Sequence, residues 1–247
     1  MAQQTSCAVQ SIPVLGNGEA RRTSGLYSRV ASSAEAAEEM PKDLVILAAD
    51  KNIDYGVQGL LRRPTVLGIR PVEFDTFVHP RHDPGCAREA HAFLRSLTQG
   101  YHHALVMFDR TGSGREALPG EALSNEVRGR VADSGWGERA EVIVLDPEIE
   151  VWVFAPSPKV EQCLGWPARR KSLRRWLESR GLWEGDHAKP SDPKAALERI
   201  LGEIKKPRSS AIYKHLGEQV GIRGCTDPAF VRFRNVLAMW FPAGSTK

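Results

Sequence analysis

The chain has 247 residues, 41% apolar and 26% charged, with 34 Lys and Arg against 30 Asp and Glu for a net charge of +4. These are the proportions of a soluble globular protein, and no run approaches the roughly 20 apolar residues that span a bilayer, so a membrane partner is not expected. Cys7, Cys86, Cys163 and Cys225 are widely spaced without a CxxC pair, which argues against a disulfide framework or a Cys-rich zinc module and fits a reducing cytoplasm.

Residues 1–39 are rich in Ser, Ala, Gln and Gly without sustained periodicity and read as a disordered tail, with Met40 a candidate natural start and no apolar signal-peptide core before it. The first strong strand is 44–49 within Leu-Val-Ile-Leu-Ala-Ala-Asp50, and a helix over 53–61 places Ile53, Val57, Leu60 and Leu61 on one face. A second strand is expected over 72–78, a loop over His79–Cys86 from its prolines and glycine, and a helix over 87–98. His102-His103 reads as a solvated pair ahead of strand three at 104–108, which ends in Asp109. The Gly-rich turn Thr111-Gly-Ser-Gly114, a helix near 119–133 and strand four at 141–145 follow. Short, continuous apolar runs suit strands buried on both faces. Their alternation with crossovers predicts an α/β domain over 43–155 with a mainly parallel sheet flanked by helices.

The pattern after 150 is mainly helical. Val151–Phe154 reads as strand or helix, and helices are expected over 171–180, 193–204, 209–220 and 228–240. Together they predict a helical extension over 156–241 packed on the first domain. From Pro156 to Arg234, 17 Lys and Arg face 9 Asp and Glu, densest at Arg169-Arg170-Lys171 and Arg174-Arg175. Such a segment beside an acidic site suits a polyanion, DNA or RNA. A solvated helix face is the plainer reading.

Ligands of open α/β sheets bind beyond the carboxyl ends of the strands. Asp50, Asp109 and the run Asp146-Pro-Glu148-Ile-Glu150 would all reach that edge. Acids crowded there repel one another unless a hard cation such as Mg²⁺ sits among them. Asp50, Asp109 and Glu150 are therefore the expected metal ligands. Glu148, sharing a face with Glu150 if the backbone stays extended, is expected to assist a water or a second ion. The competing reading is that each Asp caps the next helix. Lys51, Arg110 and Lys214, with Arg170, Lys171 and Arg174, are candidate phosphate contacts, and the glycine turn after Asp109 would let backbone N–H groups approach an anion. GxxxxGK[ST] is absent, so ATP or GTP hydrolysis is not expected, and no G-x-S-x-G elbow supports a small-molecule hydrolase. His79, His82 and Cys86 lack a fourth ligand for structural zinc.

The layout resembles the Toprim fold of topoisomerases, primases and overcoming-lysogenization-defect nucleases. Asp50 stands where that family has a Glu, and Asp109-Arg110-Thr111 where it has DxD, with Thr111 replacing the second acid. Over roughly 43–241 the chain resembles more closely a bacterial Toprim-like family, through Glu148-Ile-Glu150-Val-Trp152, Asp192-Pro193-Lys194, Tyr213-Lys214 and Phe230…Phe233. It is also similar to small components of methylation-associated phage-defence systems. The resemblance implies a Mg²⁺-dependent nuclease or phosphoryl-transfer subunit, with ATPase or methyltransferase components as partners. Loss of the second DxD acid implies the alternative, a non-catalytic subunit that binds nucleic acid or a partner.

Overall fold

The computed structural model describes residues 40–244, so the tail expected over 1–39 lies outside the described residues. Four parallel strands, β1 (Lys42–Ala48), β2 (Phe74–Val78), β3 (Tyr101–Asp109) and β4 (Ala140–Leu145), form a sheet of order β2-β1-β3-β4. Leu44 through Ala49 and Ala104 through Phe108 are wholly buried, as strands covered on both faces must be. The chain leaves β1 toward β2, then returns past β1 to β3, so the order reverses between β1 and β3. Such a reversal opens a crevice at the carboxyl ends of those two strands.

The crossover helices are α1 (Lys51–Leu61), α3 (His82–Leu94) and α4 (Gly120–Val131), with a single turn, α2 (Pro64–Leu67), before β2. Right-handed crossovers place α1 on one face and α3 and α4 on the other. The expected loop at His79–Cys86 is corrected: α3 already begins at His82, with Pro84 in its first turn. That turn has no intrahelical use for the N–H that proline lacks. The second strand begins at Phe74 rather than 72, and α1 begins at Lys51 because Asp50 caps it. His102 is exposed as expected, but its neighbour is corrected. His103 lies on the face covered by the last helix, its ring stacked on Trp240 with centroids 4.4 Å apart.

The rest of the chain supplies α5 (Glu150–Val153), α6 (Lys159–Leu164), α7 (Leu173–Glu178), α8 (Pro193–Glu203), α9 (Ser210–Gln219) and α10 (Pro228–Trp240). Helix α9 lies directly on α1, and glycines make the approach close. A Cβ on Gly59 would sit 2.3 Å from the Lys214 carbonyl oxygen, and one on Gly217 would sit 2.6 Å from that of Gly56. Helix α10 buries Phe230, Phe233 and Leu237, and its Arg232 meets Glu141 of β4 at 2.8 Å. Trp152 of α5 donates its indole N–H to Asp227 at 2.9 Å, and the same carboxylate caps α10 at the Phe230 N–H. The carboxyl edge of the sheet is thereby tied to the C-terminal helices. Among the described residues no helix is long and apolar enough to cross a membrane.

Candidate metal centre

Asp50 lies two residues past the end of β1. Its backbone is extended, and its Oδ1 accepts the N–H groups of Asn52 and Ile53, each at 2.9 Å. The capping role is therefore real. Asp109 ends β3 and has no such duty, because α4 starts only at Gly120. It is 8% exposed. Its N–H donates to Asp83 Oδ1 at 2.8 Å, and its Oδ1 accepts the Ile149 N–H at 2.9 Å. That second bond draws the segment after β4 against the end of β3.

The backbone of this segment is helical at Ile149, and α5 opens at Glu150, so the extended geometry expected for Glu148 and Glu150 is corrected. The turn itself gathers the acids. Oxygen atoms of Asp109, Glu148 and Glu150 lie within 4.8 Å of one another, a spacing that can hold a metal ion. This trio contains two of the three expected ligands, with Glu148 in the place assigned to Asp50.

Cations reach the trio from the helical half. Lys194, in the first turn of α8, donates to Glu148 Oε2 at 2.8 Å. Arg208, just before α9, and Tyr213, within it, both donate to Glu150 Oε1, the tyrosine at 2.6 Å. Glu150 is 1% exposed, and its other oxygen, Oε2, is buried without a hydrogen-bond partner. A buried carboxylate oxygen left bare is costly, which makes it the most informative atom of the site.

The electrostatics agree. Burial pushes the Asp109 carboxyl well above the usual carboxylate range, and the charges of Asp83, Glu150, Asp50 and Glu148 push the same way. Asp83 is raised as well, by burial first and then by Asp50, against the Asp109 N–H it accepts. The hydrogen bond that Lys194 donates to Glu148 raises the ammonium against its burial. Burial and Glu150 together push the Tyr213 hydroxyl far up, so it stays a donor. Five acids thus act on one another here, while two cations are in contact with them.

Sequence reasoning missed Asp83, because Asp-Pro was read as loop punctuation. An acid in the first turn of the helix after β2 was the available signal. Lys194 and Tyr213 stood in recognised motifs without a role, and Arg208 in none. Of the candidate phosphate contacts, Lys51 is exposed at the start of α1 beside Asp50. Arg110 pairs with Asp146 at 2.8 Å and donates to the Glu116 carbonyl. Arg170 pairs with Glu203, Arg174 with Glu178, and Lys214 lies over the Tyr55 ring. Lys171 is exposed, and its carbonyl accepts the Trp166 indole N–H. The anion expected at the glycine turn is internal: the N–H groups of Gly112 and Gly114 both donate to Glu116 Oε1. A second acidic group, Glu184, Asp186 and His187, is fully on the surface.

Comparison of the chain with protein-family models, with curated proteins and with solved structures gives no match.

Proposed function

We propose that this chain is a Mg²⁺-dependent, Toprim-like phosphoryl-transfer enzyme acting on the phosphodiester bonds of nucleic acid. The observation that carries the reading is the buried carboxylate of Glu150, with Oε2 bare and one of its oxygens within 4.8 Å of oxygens of Asp109 and Glu148. Few carboxylates, completed by water and phosphate oxygens, are the usual environment of Mg²⁺. A divalent cation held there supplies charge stabilisation to a phosphoryl oxygen and lowers the pKa of a bound water. Asp109, Glu148 and Glu150 are the residues that would hold it. Asp83 fixes the Asp109 backbone, while Lys51 and Arg110 lie on the chain next to the acids at the strand ends, where a phosphate backbone would approach. The role in a phage-defence complex, with ATPase or methyltransferase partners, belongs to the same proposal.

The test is cleavage of labelled single- and double-stranded DNA and RNA by the full chain with Mg²⁺ or Mn²⁺. Cleavage should require the cation and disappear in Asp109→Asn and Glu150→Gln. Cation-dependent cleavage that survives both substitutions refutes the assignment.

One observation favours a second reading, a non-catalytic subunit that binds nucleic acid or a partner. Lys194 and Arg208 already neutralise Glu148 and Glu150. In that case the cations are permanent substitutes for a metal, and the wild-type chain binds nucleic acid equally well with and without Mg²⁺.

A further inference from the structure

Each carboxylate of the trio has one oxygen already engaged. Asp109 Oδ1 accepts the Ile149 N–H, Glu148 Oε2 accepts Lys194, and Glu150 Oε1 accepts both Arg208 and Tyr213. The lock on Glu150 is the tightest. A carboxylate oxygen offers about two lone-pair sites, and here a guanidinium and a phenol take both. Glu150 is left with Oε2 alone, and that atom has no partner.

We infer that Tyr213 and Arg208 are positioning residues that hold Glu150 to one-oxygen coordination and so select a small octahedral cation, Mg²⁺ or Mn²⁺, over Ca²⁺. The inference rests on the metal reading above. Octahedral Mg²⁺ takes single oxygens at short distance and keeps several waters, whereas Ca²⁺ takes six to eight oxygens and readily uses both oxygens of a carboxylate. Three one-oxygen ligands supply half an octahedron and leave the other half to water and phosphate. Opening the second oxygen of Glu150 offers the larger ion the chelating grip it now lacks. The two residues reach Glu150 from opposite sides of the start of α9, so the docking of α9 on α1 is what sets the coordination.

The experiment is calorimetric titration of Mn²⁺ and of Ca²⁺ into the full chain, as wild type, Tyr213→Phe and Arg208→Gln, with melting of each cation-free variant as a check on folding. Wild type should favour Mn²⁺. Tyr213→Phe leaves charge unchanged and should lower the ratio of Mn²⁺ to Ca²⁺ affinity by about 10-fold, within the range that changes behind a metal ligand produce. Arg208→Gln removes a positive charge, so both ions should bind more tightly while the ratio again falls. The same fall in ratio in two folded variants, only one of which changes the charge at the site, would not arise from general loosening of the fold. A ratio unmoved in both folded variants overturns the inference and leaves the metal reading standing. Wild-type protein that binds neither ion overturns the metal reading and the inference with it.

Discussion

The carboxyl ends of β1 and β3 are neighbours, and an aspartate stands at or within two residues of each. Yet the two regions put that aspartate to different use. Helix α1 starts at the residue after Asp50, so the side chain turns onto the helix N-terminus and spends Oδ1 on two N–H groups. After Asp109 the chain makes a loop through Gly112 and Gly114 before α4, and the side chain stays at the sheet edge among other acids. The difference teaches that an acid at a strand end is read by its distance to the next helix. Immediate helix entry makes a cap, whereas delayed entry leaves a carboxylate without capping duty.

The largest test of this comparison is Asp109→Asn. The amide keeps an acceptor for the Ile149 N–H but removes a ligand, and Mn²⁺ affinity measured by calorimetry should fall by more than about 100-fold, beyond the usual effect of a supporting residue. Next is Gly217→Val. The added side chain would meet the Gly56 carbonyl and the α1 backbone, costing roughly 1–3 kcal/mol by overpacking. Urea unfolding should show that loss, and Mn²⁺ affinity should fall relative to that for Ca²⁺ because Tyr213 withdraws from Glu150.

The third prediction concerns pH. The raised carboxyls of Asp109 and Asp83 bind protons more tightly in the folded chain than in the unfolded one. Their contribution is therefore present below the ordinary carboxylate range and is lost as pH rises through the folded values, with a ceiling of about 1.4 kcal/mol per pH unit for each group. Asp43, lowered by its hydrogen bond to Arg70, and Asp75, lowered by Lys42 and Tyr101, act oppositely. Their stabilisation is present above the ordinary value and is lost as pH falls. Unfolding free energies of the cation-free chain should decline as pH rises above the ordinary carboxylate range, with Mn²⁺ restoring them and Asp109→Asn flattening the slope.

The smallest effect sharpens the comparison most. Asp50→Asn preserves the cap and should change stability by only a few tenths of a kcal/mol, whereas Asp50→Ala should cost about 1 kcal/mol. If Asp50 is only a cap, Mn²⁺ affinity in Asp50→Asn stays within a few-fold of wild type. A loss comparable to that of Asp109→Asn would place both strand ends in one centre.

The parallel sheet was legible because continuous apolar runs such as Leu44–Ala48 carry both their length and their two-sided burial in composition alone. Asp109, Glu148 and Glu150 were legible because strand ends point to the sheet's carboxyl edge. Asp83 was hidden by Pro84, a residue that breaks helices except in the first turn, where it stands here. Arg208 and Tyr213 were beyond local reading, since their meeting with Glu150 depends on how α9 packs on α1 through Gly59 and Gly217. No spacing within 150–213 encodes that contact. The glycine turn misled for a related reason, as its own Glu116 supplies the anion its N–H groups attract.

The long separation between the acids and their cations has a consequence for synthesis. All five acids have been made by residue 150, but Lys194 lies 46 residues beyond Glu148 and Arg208 lies 58 beyond Glu150. At roughly 5–20 residues per second, the nascent chain carries its acidic cluster without Arg208 for about 3–12 s. During that interval the guanidinium that meets Glu150 in the folded chain is missing, and for most of it so is the Lys194 ammonium that meets Glu148. Docking of the C-terminal helices is thus the step that brings Glu148 and Glu150 their own cations.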